Sequence, residues 1–82
     1  MASFNPHFQL ANLMGEHHVT WDVSTVAELL KQGEQEYGAA FVKELKSATV
    51  LVNGRAITYL NGWNTPLSDE DEVWTILPSA GG

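Results

Sequence analysis

The sequence contains no cysteine, which excludes a disulfide, a thiolate-bound metal or iron–sulfur cluster, and a persulfide on this chain. Positive charge is nearly as scarce. Lys31, Lys43, Lys46 and Arg55 stand against ten Asp and Glu, for a formal net charge of −6. Four scattered cations cannot neutralise a phosphate backbone, so no nucleic-acid partner is expected. The acidic excess favours encounter with a protein that has a basic docking surface, and it also serves as solubilising charge. No apolar run approaches the ~20 residues needed to cross a bilayer, and Met1-Ala2-Ser3-Phe4 lacks a basic segment leading into an apolar one. No membrane partner is expected, and a cytoplasmic location is the default.

Metal and catalytic constellations are also missing. His17 and His18 are neighbours, which on a strand point to opposite faces, and neither cysteine nor a carboxylate set joins them or His7. The run Asp69-Glu70-Asp71-Glu72 lacks the spacing and glycine of a calcium loop and reads as a solvated turn before a strand. Ser24, Ser47, Ser68 and Ser79 have no nucleophile-elbow context. The chain is therefore expected to have no catalytic site, metal or bound cofactor of its own.

What is present is enough for one compact domain: 82 residues, 44% hydrophobic and 17% charged. Thr25 and Glu28 have capping-box spacing, and Val26, Leu29, Leu30, Gly33 and Tyr37 share one face, so the main helix runs from Thr25 to Tyr37. Gly38 ends it, and Ala40, Phe41, Val42 and Leu45 predict a short second helical turn before Ser47. Thr49–Val52, Asn53-Gly54 and Ala56–Tyr59 form a hairpin signal, because Asn-Gly readily takes the positive φ of a type I′ turn. Upstream, Val19, Trp21 and Val23 alternate with polar residues as a half-buried strand starting near His18. Met1 to Phe8 is apolar but broken by Pro6, and Gln9–Met14 has room for a helical turn ending at Gly15. Glu72–Leu77 is the last strand, stopped by Pro78. This order has no βα alternation and predicts an α+β sheet with one main helix across it, over residues 1–78, followed by a tail over 79–82.

Alternation along the last strand puts Val73, Thr75 and Leu77 on one face and Trp74 and Ile76 on the other. With Val50 and Val52 in the core, Leu51 points outward beside them. Leu51, Trp74 and Ile76 are therefore expected to form an apolar partner patch, and Arg55 reads as a surface charge.

Three segments carry a resemblance: Thr25-Val26-Ala27-Glu28-Leu29-Leu30; Val50-Leu51-Val52-Asn53-Gly54-Arg55; and Thr65-Pro66-Leu67-Ser68-Asp69-Glu70-Asp71-Glu72-Val73, running on to Pro78 and Gly81-Gly82. In these the chain resembles the ubiquitin-like sulfur carriers, especially the small subunit of molybdopterin synthase and the thiamine sulfur carriers. The resemblance implies a β-grasp fold, with a mixed sheet of four to five strands packed on the main helix. It implies an E1-like adenylating enzyme that uses ATP, and a sulfur-accepting enzyme such as the molybdopterin synthase large subunit. Gly82 is then the site of adenylation and thiocarboxylation, Gly81 gives the tail access to a narrow channel, and Pro78, Ser79 and Ala80 contact the partner on the way in. The tail is shorter and more polar than the Pro-rich tails of molybdopterin synthase subunits. A molybdenum or tungsten pterin precursor, a cysteine or thiamine precursor and a tRNA base all remain open as acceptors, as does isopeptide conjugation through the same Gly82.

Glycine at both terminal positions has a physical reason, since the missing Cβ opens backbone conformations and clearance closed to other residues. With no cysteine available, the terminal carboxyl group is the only plausible attachment point for sulfur on this chain. Gly82→Ala or a one-residue C-terminal extension is expected to abolish thiocarboxylation while leaving the thermal midpoint unchanged, as checked by intact mass and thermal unfolding.

Overall fold

The structure, a computed structural model, describes residues 1–77; Pro78 to Gly82 lie outside them. The chain opens with β1 (Ala2–Asn5), which buries Ala2 and Phe4 on one side and stops before Pro6, a residue with no ladder donor. Phe8–Met14 forms α1, closed by Gly15, which at φ 73° donates its N–H to the Ala11 carbonyl at 2.8 Å. β2 (Val19–Trp21) follows, with His17 and His18 just ahead of it and Val23 beyond its end.

The next helix, α2 (Val26–Tyr37), starts where the Thr25–Glu28 spacing predicts. Thr25 Oγ1 accepts from the Glu28 N–H at 3.1 Å, while the Glu28 carboxylate reaches back one residue further than a standard box, to the Ser24 N–H at 3.0 Å. Gly38, at φ 85°, separates α2 from α3 (Ala39–Ser47), a full nine-residue helix where the sequence predicts only a turn.

β3 (Thr49–Val52) and β4 (Arg55–Ala56) make the hairpin, with Asn53 at φ 51° and Gly54 at φ 87° as a type I′ turn requires. The return strand is shorter than the expected Ala56–Tyr59. Ile57–Tyr59 is instead a 3-10 turn, because the residues packed into the core there are Ile57 and Leu60, three positions apart, which suits a helical turn and not a strand. A second 3-10 turn, Gly62–Asn64, leads towards the final strand β5 (Glu72–Ile76).

The five strands form one sheet in the order β2-β1-β5-β3-β4. β1 and β5 run parallel and all other pairs are antiparallel, so the sheet is mixed. The expected main helix is α2, and the two expected helical turns are full helices, α1 and α3, of which α3 packs against both α1 and α2. The longer α3 is what the extra apolar positions Phe41 and Leu45 demand, since both are fully buried.

Phe41 is the centre of that packing. Its ring stacks on Tyr37 at 5.9 Å and meets Phe4 and Trp21 at tilted contacts of 6.1 Å each, tying α2 and α3 to β1 and β2. It also lies directly on Gly33, where an added Cβ would stand 2.1 Å from Phe41 Cε1. The Tyr37 hydroxyl has its pKa raised by burial first, then by Glu36 and Glu16. Gly33→Ala should gain helix propensity but force the immobile Phe41 ring out of place, for a net loss of about 1–3 kcal/mol, read as a lower urea midpoint at unchanged m-value.

Candidate functional site

The helices cover one side of the sheet and leave the other to solvent. Val50, Val52, Val73 and Thr75 point to the helices and are buried. Their neighbours point away: Trp74 is 46% and Ile76 48% exposed, and Leu51 is half-buried. Register brings these together, since β3 and β5 pair with Leu51 opposite Trp74 and Thr49 opposite Ile76. Cross-strand partners on one face lie within contact reach. On the flanking strands the same row continues through Ala56, opposite Leu51, and Asn5, opposite Trp74. The apolar patch expected at Leu51, Trp74 and Ile76 is thus a contiguous strip on the open face. Leu77, expected on the helix side, is exposed beyond the end of β5.

The charges around this strip are sorted. Glu72 shares the open face, and Asp69 and Glu70 are exposed in the turn ahead of β5. Lys31 lies on α2, Lys43 and Lys46 lie on α3, and Arg55 pairs with core-facing Val52 and so belongs to the helix side. The apolar strip therefore has an acidic border and no lysine or arginine beside it, the Met1 ammonium on Asp69 being the cation at that border, which suits a partner with apolar contacts ringed by basic residues.

One end of the strip is held by a polar latch. Asn53 donates from Nδ2 to Asp71 Oδ1 at 2.9 Å, and its Oδ1 accepts from the Glu72 N–H at 2.9 Å. Its backbone N–H donates to the Glu72 carbonyl at 2.8 Å. Asp71 Oδ2 in turn accepts from the Ser68 N–H at 2.8 Å. Asn53 therefore does two things: it takes the turn's positive φ and it fastens the hairpin to the start of β5. The first was legible in Asn-Gly; the second was not, because Asp71 is distant in sequence. Asp69 accepts from the Met1 ammonium at 2.8 Å on the exposed surface, and that bond lowers its pKa.

His18, set aside as a metal ligand, hydrogen-bonds Asn5 Oδ1 through Nδ1 at 2.9 Å at the far border of the open face. His7 is instead on the helix side, between Thr75 and Glu44. Among the described residues no group of three or more His, Asp or Glu is gathered as a metal site would need, and no helix is long and apolar enough to cross a membrane. The sites expected at Pro78, Ser79, Ala80, Gly81 and Gly82 lie outside the described residues.

Residues 4–82 match the model of the ThiS family. The chain belongs to the ThiS family. A curated relative, small archaeal modifier protein 3 of Haloferax volcanii, is 32% identical over 79 residues, covering 85% of this chain and 86% of that protein. The solution structure of small archaeal modifier protein 1 from Methanosarcina acetivorans superposes with a TM-score of 0.84 at 22% identity, covering 99% of this chain and 95% of its own. The Amycolatopsis orientalis BexX/CysO complex contains a chain with a TM-score of 0.84 at 19% identity, each chain covered over 100%. These likenesses establish the β-grasp fold, and with the family match they make this ThiS-family chain a ubiquitin-like sulfur carrier or modifier.

The latch gives the ThiS-family chain a defined acid response. The Ser68 N–H first, and then the Asn53 side chain, hold the Asp71 carboxyl below the usual carboxylate range. A carboxylate depressed in the fold contributes stability that is present above its unfolded pKa, about 3.9, and is lost as pH falls through the folded value. Wild type is therefore expected to lose more stability than Asp71→Asn on acidification from about pH 6 to about pH 3, as checked by urea midpoints at each pH.

Proposed function

We propose that this chain is a sulfur carrier that docks through the strip Leu51, Trp74 and Ile76 and reacts through Gly82. The observation that supports this best is the continuity of the two. The strip lies on β5, and β5 is the strand that leads through Leu77 and Pro78 into Gly81-Gly82. A partner that holds the face has the reacting end within the reach of the few residues that follow.

The chemistry has two steps. On an E1-like enzyme, a Gly82 carboxylate oxygen attacks the α-phosphorus of ATP and expels pyrophosphate, giving an acyl adenylate. Hydrosulfide, already at the oxidation level of the product, then attacks the acyl carbon, forms the C–S bond and expels AMP, leaving a thiocarboxylate; a persulfide donor would give an acyl disulfide first, whose S–S bond a thiol reductant cleaves with loss of a disulfide. Activation is needed because a free carboxylate is a poor electrophile, and splitting the transfer lowers each barrier. The folded domain supplies the binding energy that two glycines cannot.

The acceptor we favour is a molybdopterin precursor, held by a larger synthase subunit that receives the tail, on the strength of the three sequence segments that resemble the small subunit of molybdopterin synthase. A second reading, isopeptide conjugation to protein lysines, is favoured by the 32% identity to a protein named as a small archaeal modifier. The two share activation and part at the product. Intact-mass analysis of the chain from its native host is expected to show an oxygen-to-sulfur exchange at Gly82. Lysine-linked conjugates without that exchange would replace the carrier reading with the modifier reading, and neither product would sink both.

For the docking strip, Trp74→Ala is expected to weaken binding to the activating enzyme by about 2 kcal/mol or more, as a central aromatic anchor does. The urea midpoint should stay close to wild type, because the Trp74 side chain is half outside the core. Titration calorimetry beside urea unfolding checks both.

A further inference from the structure

Thr75 is a polar residue in a buried place. It stands on the helix side of β5, is 3% exposed, and occupies a position where an apolar residue would be the ordinary choice. One residue accounts for its hydroxyl. The His7 N–H donates to Thr75 Oγ1 at 2.8 Å, and the same oxygen lies 2.7 Å from His7 Nδ1. On its other side the ring places Nε2 3.3 Å from Glu44 Oε1 on α3. The arrangement that satisfies every group has Thr75 donating its hydroxyl hydrogen to Nδ1, and the Nε2–H donating to the Glu44 carboxylate. The His7 side chain is 6% exposed, so water does not substitute for these partners.

This cluster sits where β5 loses its β1 flank and keeps only its β3 flank. On one flank β3 pairs with β5 as far as Ile76. On the other, β1 pairs only as far as Trp74, opposite Asn5, and the next residue is Pro6, which has no N–H to offer. Past that point His7 replaces the ladder, gripping Thr75 by both its backbone and its ring. Thr75 is two residues from Leu77, which precedes Pro78 and the expected tail over 79–82.

We infer that His7 and Thr75 are positioning residues that fix the end of β5, the strand from which the chain continues to Gly82, for reaction at the activating enzyme's catalytic site. The inference rests on the carrier reading above. The pair is on the opposite side of the sheet from Leu51, Trp74 and Ile76, so its loss leaves the docking strip intact and acts on the alignment of the reacting end. Misplacement of that kind lowers turnover and not binding.

The test uses the full chain, the activating enzyme of the same host and ATP–pyrophosphate exchange, with chain concentration varied. Thr75→Val keeps the shape and removes the hydroxyl; it is expected to lower kcat roughly 10-fold or more at unchanged KM. Thr75→Ser restores the hydroxyl and is expected to return kcat to that of the wild type. Nitrogen NMR of the wild-type chain near neutral pH is expected to show the His7 proton on Nε2, a readout that needs no variant to fold. Wild-type kcat in Thr75→Val, a loss confined to KM, a Thr75→Ser variant as slow as Thr75→Val, or a proton on Nδ1 would each overturn the inference while leaving the carrier reading in place. A wild-type chain that supports no exchange would overturn the carrier reading and this inference with it.

Discussion

Phe41 lying on Gly33 is the contact from which the rest of the arrangement follows. Without a Cβ at position 33 the aromatic ring comes against the backbone of α2, and there it meets Tyr37, Phe4 and Trp21. Four elements are joined through one side chain. In a chain of 82 residues the core is small, and a dense aromatic centre supplies much of the buried apolar area available to it. The geometry also sets sidedness: with α1, α2 and α3 gathered on the face that Phe4 and Trp21 present, no helix among the described residues is left to cover the other.

That asymmetry converts a folding constraint into a surface suited to recognition. A two-layer domain buries one face of its sheet, and the apolar residues on the uncovered face then stay in contact with water. Leu51, Trp74 and Ile76 are in that situation, beside an acidic border and with every lysine held on the helix layer. Buried polar groups follow the opposite rule. Among the described residues no buried side-chain nitrogen or oxygen lacks a hydrogen-bond partner, and Thr75, the polar residue buried on β5, is matched by His7. Thr65, the other buried polar residue, is satisfied within its own turn by the Asn61 N–H and the Gly62 carbonyl, while Asn53 and Asp71 join two elements at the surface.

What could be read from the sequence was whatever depends on near neighbours. The Thr25–Glu28 cap, the Asn53-Gly54 turn and the alternation of Val73, Trp74, Thr75 and Ile76 each state their geometry within a few residues. Where the reading fell short, a distant partner decided. Ala56–Tyr59 looks like a strand by composition, yet Ile57 and Leu60 both turn into the core and the chain coils. The segment after Gly38 looked like a single turn because nothing local says that Phe41 has an aromatic pocket waiting for it. His7 and His18 could be set aside as metal ligands from their spacing, but their actual partners, Thr75, Glu44 and Asn5, come from other elements.

The sequence alone therefore determined the class of the fold and the outward direction of Leu51, Trp74 and Ile76, and its lack of cysteine excluded a thiol as a sulfur carrier on this chain, because period, turn chemistry and composition are local or compositional facts. Only the tertiary structure decided that β1 lies parallel beside β5, that Leu51 stands opposite Trp74, and that three helices close one face and leave the other open. Those outcomes depend on register between segments far apart in the chain, and register is set by packing, which no short stretch of residues encodes by itself.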